Sequence, residues 1–288
     1  MTFRLPRFRP SAPLSTPPRR RAAWGGAVLA VCLAGTAWGV RAQTAPDSAP
    51  SAVPTRTAAD GIARAAVPFG PGERFTYDVK FGVLKVGSGS MEVAGVADVR
   101  GREAYHTIFR VRGGTFFYKV DDRFESWFDT RTLASLRFIE DLQEGRRDRE
   151  RRYDIFPERS VYRQEGADAE QPSVSNPLDQ GSFLYFVRTL PLRTGDTYEL
   201  NRYYRPDRNP VRIRVLRRER VTVPAGTFDA VVVQPSIRTK GIFSEGGRAE
   251  IWFSDDAERV MLQMKSQLSF GSLNLYLKSR QSGRPAGS

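Results

Sequence analysis

The side chains that could do acid–base or metal chemistry are few in this 288-residue chain. His106 is the only histidine, and Cys32 is the only cysteine. No Gly-x-Ser-x-Gly motif accompanies His106, which lies in an alternating, strand-like segment. We therefore predict a strand histidine that is exposed or hydrogen-bonded rather than a catalytic base. These counts argue against an enzyme, and against a bound metal or other cofactor.

Two pairs of adjacent carboxylates are the remaining candidates for chemistry. Asp121 and Asp122 fall in one predicted strand, where neighbouring side chains point to opposite faces and do not converge. Asp255 and Asp256 follow an apolar strand and are typical of a turn whose side chains accept backbone hydrogen bonds. A Ca²⁺ site or an acid–base pair is the alternative for either pair.

Basic residues give the chain a formal net charge of +13, but their distribution matters more than the total. Residues 1–42 hold seven arginines and no acid, which leaves 38 basic against 32 acidic residues in the rest of the chain. The arginine-rich runs at 146–152 and 217–220 are interleaved with acids. We predict charged strand edges and no nucleic-acid binding. Docking of an envelope protein, cell-wall polymer or anionic lipid headgroup to these faces is the alternative.

Aromatic residues are concentrated in residues 116–128, on both alternating faces, and in one predicted helix. Such side chains fill a core, but a surplus of them in a curved sheet also lines cavities for hydrophobic molecules. Core packing alone is the alternative. The residues that we predict to line a hydrophobic ligand are Phe116, Tyr118, Phe124, Trp127, Phe183, Phe186 and Trp252.

The elements that must position these residues are mostly strands. Apolar and polar residues alternate over 211–215, 249–253 and 273–277, and in about ten further segments, with short turns between them. Many short-linked strands predict an antiparallel meander. The chain is therefore predicted to be all-β with one short helix. The expected form is a highly curved sheet or a half-open or closed β-barrel, with the amphipathic helix packed against it.

The helix has recognisable start and stop signals. Asn176 suits the N-cap and Pro177 the first helical position, and Pro191 ends the segment. One apolar stripe follows at helical spacing, made of Phe183, Phe186, Val187 and Leu190.

The N-terminus predicts export. A basic region is followed by an apolar stretch over residues 22–40 and by small residues up to Ala42, so residues 1–42 are predicted to be a cleaved signal peptide. The predicted order is then a flexible Ala/Pro/Ser-rich linker at 43–67, one β domain at 68–280 and a disordered tail at 281–288. The expected location is the periplasm. The alternative is an inner-membrane anchor formed by residues 22–40.

Several segments resemble one family of exported bacterial proteins. They are residues 69–89, 176–200 (NPLDQGSFLYFVRTLPLRTGDTYEL), 223–235 (VPAGTFDAVVVQP) and 247–264 (GRAEIWFSDDAERVMLQM). The family is described as domain of unknown function 3108, and the resemblance spans about residues 68–277. It implies a periplasmic, all-β protein and assigns no activity and no site residues.

Together these features predict a non-enzymatic periplasmic protein that binds a lipid or a lipid-modified molecule in a cavity of its curved sheet. The alternative is a structural or interaction protein of the cell envelope that docks to a protein or to the cell wall through its basic faces.

Overall fold

The computed structural model describes residues 55–57, 67–115, 118–237, 249–268 and 271–283. The predicted signal peptide lies outside these ranges. So do most of the predicted linker and the last five residues of the predicted tail.

The described elements are fifteen strands, one α-helix and two 3₁₀ helices at Pro157–Arg159 and Pro206–Arg208. They are β1 (Thr55–Thr57), β2 (Arg74–Phe81), β3 (Leu84–Val99), β4 (Arg102–Thr115), β5 (Tyr118–Asp129), β6 (Ser135–Glu144), β7 (Arg147–Phe156), β8 (Val161–Gln164), β9 (Gln171–Pro172), α1 (Gln180–Arg188), β10 (Thr197–Leu200), β11 (Val211–Val223), β12 (Gly226–Ser236), β13 (Glu250–Ser254), β14 (Met261–Leu268) and β15 (Gly271–Gln281).

All of these strands belong to one sheet. Within β2–β9 and within β10–β15, each strand pairs antiparallel with the next one, and β15 pairs with β2 to join the two runs. The α1 segment connects the two runs from β9 to β10. β1, in the predicted linker, pairs parallel with β10. The sheet ends at β1 and β9, so the predicted meander and curved, open form are confirmed and the closed barrel is wrong for the described strands.

Bulges give the sheet its curvature. Among the described strands, six pairs contain a register shift, and each inserted residue bends its strand and increases the local twist. One insertion is Val86, beside the small residues at 87–90 where the sequence predicts a bulge or bend. A Cβ added to Gly87 would lie 2.6 Å from the Cα of Gly113, so only glycine permits this approach of β3 and β4.

The sheet encloses one principal core. Residues of β2–β7 and of β10–β15 join the same buried cluster as α1, which requires the sheet to wrap around the helix. We call the face that carries this cluster the inner face. On β2 it is formed by Phe75, Tyr77 and Val79, each about 1% exposed. A smaller second cluster, made of Val99, Ala104, Leu136 and the partly buried Trp127, lies on the outer face.

The helix begins later than the sequence predicts. Its N-cap is Asp179, not Asn176, and Pro177 precedes the helix. The Asp179 carboxylate accepts hydrogen bonds from the Gly181 and Ser182 amides, and the Ser182 hydroxyl accepts one from the Asp179 amide. This capping box satisfies the first helical donors, because it closes reciprocally over one turn.

Candidate functional site

The helix N-terminus is fixed to the sheet by a buried polar cluster. Ser126 of β5 donates to Oδ2 of Asp179 at 2.6 Å, and Ser135 of β6 accepts from the Asp179 amide at 2.9 Å. The hydroxyls of Ser135 and Ser182 lie 2.8 Å apart. Burial raises the pKa of Asp179, and the hydrogen bond from Ser126 opposes this effect. Both oxygens of the Asp179 carboxylate already accept hydrogen bonds from the protein, so this cluster holds the helix N-terminus on the sheet. We call it the helix anchor.

The other end of the helix is fixed by an ion pair. Arg188 donates from Nη1 and Nη2 to the two carboxylate oxygens of Glu73 at 2.6 and 2.7 Å, and both side chains are buried. Nη2 also donates to the carbonyl oxygens of Pro68 and Glu258. Burial raises the pKa of Glu73 against the opposing effect of Arg188. This pair ties α1 to the start of β2 and to the β13–β14 turn.

All residues of α1 from Gly181 to Arg188 are buried, so the helix fills its part of the inner face. Phe183 and Phe186 are each 1% exposed. Tyr185 makes an edge-to-face contact with Phe69 and a tilted contact with Phe128. A ligand has no free surface on the helix in this structure.

Beyond the helix, a row of aromatic rings crosses the inner face. Phe124 of β5 contacts Phe109 of β4 at 6.3 Å and stacks on Phe138 of β6 at 6.4 Å, measured between ring centroids. Phe138 stacks on Tyr153 of β7. The row continues through Tyr162 and Tyr204. We call these six residues the aromatic row.

The aromatic row is not buried evenly. Phe138, Tyr153 and Tyr204 are buried, whereas Phe109, Phe124 and Tyr162 are only partly buried. Beside the row, Glu140 pairs with Arg151 at 3.5 Å, and the Arg151 side chain is 39% exposed. Burial raises the pKa of Tyr204 well above its ordinary value, so its hydroxyl stays protonated. The arrangement offers apolar ring faces next to polar groups.

The structure does not bring all predicted ligand residues together. Phe124 lies in the aromatic row, whereas Phe183 and Phe186 lie in the packed helix. Tyr118 is the first residue of β5, and only its backbone is described. Phe116 lies outside the described residues.

Of the two predicted tryptophans, Trp127 lies on the outer face, whereas Trp252 is 3% exposed and belongs to the principal buried cluster. Trp127 stacks on His106 with ring centroids 4.2 Å apart, and it packs against the second cluster. Trp252 lies under the cations of Arg217 and Lys265 and donates from Nε1 to Glu219. The prediction grouped Trp127 with the inner-face residues because alternation shows two faces without showing which one is enclosed.

His106 has a partner that the sequence did not reveal. Its Nε2 lies 2.8 Å from Oε2 of Glu125 on the paired strand, and its ring is held between this contact and Trp127. Glu125 also contacts Arg123. His106 is thus a hydrogen-bonded strand histidine, as predicted.

The paired carboxylates also have structural contacts. Asp121 accepts two hydrogen bonds from Arg110, which lowers its pKa, and lies on the face opposite to Asp122. Asp256 accepts from the Ser254 hydroxyl and from two backbone amides of the β13–β14 turn. The opposite faces of Asp121 and Asp122 and the turn role of Asp256 agree with the sequence interpretation, whereas Asp255 accepts from the side chains of Arg218 and Arg259 instead of the backbone. Within the described ranges, no group of three His, Cys, Asp or Glu could hold a metal ion.

The arginine-rich runs form ion pairs with neighbouring acids. Arg151 and Arg152 of β7 pair with Glu140 and Glu150. In β11, Arg217 pairs with both Glu219 and Glu250, and Arg218 pairs with Asp255. These surfaces carry charges of both signs.

A cleft of about 400 Å³ lies at the ends of β3 and β7, lined by Arg100, Arg102, Leu136, Phe156, Glu158 and Arg159. Arg100 and Arg159 each place a guanidinium 4.4 Å from the Phe156 ring centroid. Arg100 also donates to two backbone carbonyls, and Arg159 pairs with Glu170. The cations of this cleft thus have partners within the protein.

The aromatic row and helix lie within the part of the chain that matches a known family model. The model, described as Protein of unknown function (DUF3108), matches residues 76–278. The chain belongs to this family. Membership in the DUF3108 family confirms the resemblance seen in the sequence, and it assigns no activity.

One solved structure shares the fold of this DUF3108 protein. A β-barrel-like protein of the domain of unknown function DUF1849 from Brucella abortus aligns with a TM-score of 0.52 and 14% identity. The alignment covers 76% of this chain and 100% of that one. A putative lipoprotein from Parabacteroides distasonis aligns with a TM-score of 0.35 and 12% identity over the same shares. A comparison with curated proteins gave no match. No helical segment within the described ranges combines the length and the apolar composition that a membrane span requires.

Proposed function

We propose that this protein binds a hydrophobic molecule, a lipid or the lipid part of a modified molecule, on the inner face of its sheet. The proposal includes a periplasmic location and no catalysis. The observation that carries it is the partly exposed end of the aromatic row, on the face that a soluble β-protein normally fills completely.

The binding surface would be formed by Phe109 and Phe124. These rings touch other rings of the row on one side and remain partly open on the other. Tyr162, which is also partly buried, lies at the opposite end of the row, beyond the buried Phe138 and Tyr153. Water-exposed aromatic surface is costly: burying a fully exposed ring contributes about 1.5–3 kcal/mol, so covering the exposed part of a partly buried ring contributes a fraction of that. An acyl chain lying across the rings would gain this free energy. The packed helix would close the far end of the surface.

Polar groups beside the row would face the polar part of the ligand. Arg151 and Glu140 form a partly exposed pair at its edge. A ligand with an apolar chain and a charged or hydroxylated head matches this arrangement. Few polar groups among many apolar ones is the usual composition of a site for an amphipathic molecule.

A non-catalytic role agrees with how the candidate chemical groups are used. His106 is engaged by Glu125 and Trp127, Asp121 by Arg110, and Asp256 by the turn that it stabilises. Each has a structural partner, and none of these residues lies in the aromatic row.

Native mass spectrometry of the full chain tests the proposal. The protein is purified from envelope fractions in mild detergent and measured before and after organic extraction. We expect an extractable mass of a few hundred daltons or more, restored by added phospholipid in wild type but not in Phe109→Ser, since residues 22–40 are common to both proteins. A protein that is purified without a ligand and binds neither fatty acid nor phospholipid would contradict the proposal. Salt-sensitive capture of a protein or of peptidoglycan by that unliganded chain would favour the envelope-interaction alternative.

A further inference from the structure

The β2–β3 hairpin carries a concentrated group of exposed apolar side chains. Among the described residues, four large hydrophobic side chains are strongly exposed, and three of them form this tip. They are Phe81 at 40%, Val83 at 89% and Leu84 at 68%. Single exposed apolar residues need no explanation, but three together at one protruding turn do.

The backbone builds this tip as a tight two-residue turn. Phe81 pairs with Leu84, and Gly82 and Val83 form the turn between them. Gly82 has φ of 58°, which glycine adopts without strain at the first central position of such a turn. The tip is therefore held as a projecting wedge by the strand pair behind it.

Two lysines face each other directly behind the wedge. Lys80 and Lys85 are register partners, one pair below Phe81 and Leu84. Lys85 contacts Asp78, and Lys80 lies over the Tyr276 ring. Like charges placed opposite each other weaken a strand pair. Asp78 neutralises Lys85, whereas Lys80 has no acidic partner among the described residues and still lacks a counter-charge. An anionic surface in front of the tip supplies one.

From this arrangement we propose that the β2–β3 hairpin inserts its tip into the surface of a bilayer that contains anionic phospholipid. Phe81, Val83 and Leu84 would enter the boundary between headgroups and acyl chains, and the two lysines would lie at the level of the phosphates. Three side chains fall well short of the ~800 Å² that one partner contributes to a standard protein interface. A small apolar wedge with flanking cations fits a membrane surface instead.

Membrane contact through the β2–β3 tip does not depend on ligand binding at the aromatic row. The β2–β3 tip does not include the aromatic row, so a loss of membrane contact would leave ligand binding testable. If both hold, the tip brings the ligand site close to the membrane from which a lipid is taken or to which it is given.

The test uses the full chain and a depth-sensitive probe. In a full chain that keeps residues 22–40, this apolar stretch can attach every variant to vesicles alike, so the readout is the depth of the probe in the bilayer and not binding. A nitrobenzoxadiazole label is placed on Val83→Cys in a Cys32→Ser background. The matched control is Val96→Cys, because Val96 is the fourth exposed residue, 45% exposed and on the same β3 strand. It lies roughly 40 Å away along the strand.

Lipids with a spin label on the acyl chain should quench the label at position 83 at least twofold more than the label at 96. The difference should be larger in vesicles with phosphatidylglycerol than in pure phosphatidylcholine. Lys80→Gln combined with Lys85→Gln should remove that dependence on lipid charge. Equal quenching at both positions would overturn the inference. Shielding of position 83 that depends on protein concentration without vesicles would assign the tip to a second copy instead.

Discussion

Arg188 and Glu73 lie 115 residues apart in the chain and form a two-point ion pair at 2.6 and 2.7 Å in the core. The Arg188 side chain has no exposed surface, and that of Glu73 is 4% exposed. Three aromatic rings lie within 5.3 to 5.6 Å of the guanidinium. The pair fixes where α1 ends on the sheet, and so fixes how much of the inner face remains outside the helix.

Replacing Glu73 by glutamine should destabilise the protein strongly. The substitution leaves the Arg188 charge buried without a counter-charge, which costs about 3–5 kcal/mol. Urea unfolding measures the change. Arg74→Gln is the matched control, because Arg74 is the next residue, its side chain is 56% exposed and its pair with Glu92 lies at the surface. Its cost should be about 0–1 kcal/mol. Similar losses in the two variants would contradict the assigned role of the buried pair.

Asp179→Asn should change how stability depends on pH. Burial raises the pKa of Asp179 above its ordinary value of 3.8, so near and above that value the folded protein holds a proton more tightly than the unfolded chain. The contribution of Asp179 to the free energy of unfolding is therefore fully present at low pH, and it is lost as the pH rises through the pKa of Asp179 in the folded protein. Asparagine keeps the cap and does not titrate.

The free energy of unfolding of Asp179→Asn, relative to wild type, should therefore increase as pH rises from about 4, the unperturbed pKa range of an aspartate. Glu73 is present in both proteins and cancels in the comparison. Urea unfolding at pH 4, 5.5 and 7 gives the three differences. A relative stability that falls with pH would show that the hydrogen bonds to Asp179 outweigh its burial.

Gly181→Ala should destabilise the helix anchor although alanine favours helices. A Cβ at this position would lie 2.9 Å from Cβ of Ser126, so the helix and β5 must separate. Overpacking of this kind costs about 1–3 kcal/mol. In Gly95→Ala, the new Cβ meets no atom within 4 Å, and φ of Gly95 is not positive. Thermal unfolding should show a clear loss for the first variant and almost none for the second.

Alternation in the sequence predicted the strands and the meander, because residues facing an enclosed core must recur with period two. It did not predict which face is enclosed. Trp127 packs against the second cluster on the outer face, and Trp252, a buried member of the principal cluster, is covered by the long side chains of Arg217 and Lys265. Aromatic residues occur on both faces of residues 116–128 partly because Trp127 packs against a cluster on the outer face.

Contacts between residues that are far apart in the chain also could not be predicted from the sequence. Asn176 and Asp179 are both good N-caps, and Asp179 caps the helix in the structure, where Ser126 and Ser135 approach it from the sheet. Likewise, nothing near Arg188 in the chain indicates that Glu73 neutralises it. The aromatic row combines residues of strands β4–β8 with Tyr204, so its rings converge only after the sheet has curved.

The most direct test of ligand binding compares two adjacent residues of β4. Phe109 points to the inner face beside Phe124, whereas Ile108 is the next residue and points to the outer face beside Glu125; both are partly buried. A fluorescent dansyl fatty acid is titrated into wild type, Phe109→Ser and Ile108→Ser, with folding checked by circular dichroism. We predict that Kd rises about tenfold or more for Phe109→Ser, since ~1.4 kcal/mol of lost contact is a factor of ten. It should change less than twofold for Ile108→Ser. Equal affinity of all three proteins, or no binding by wild type, would contradict the inner-face site.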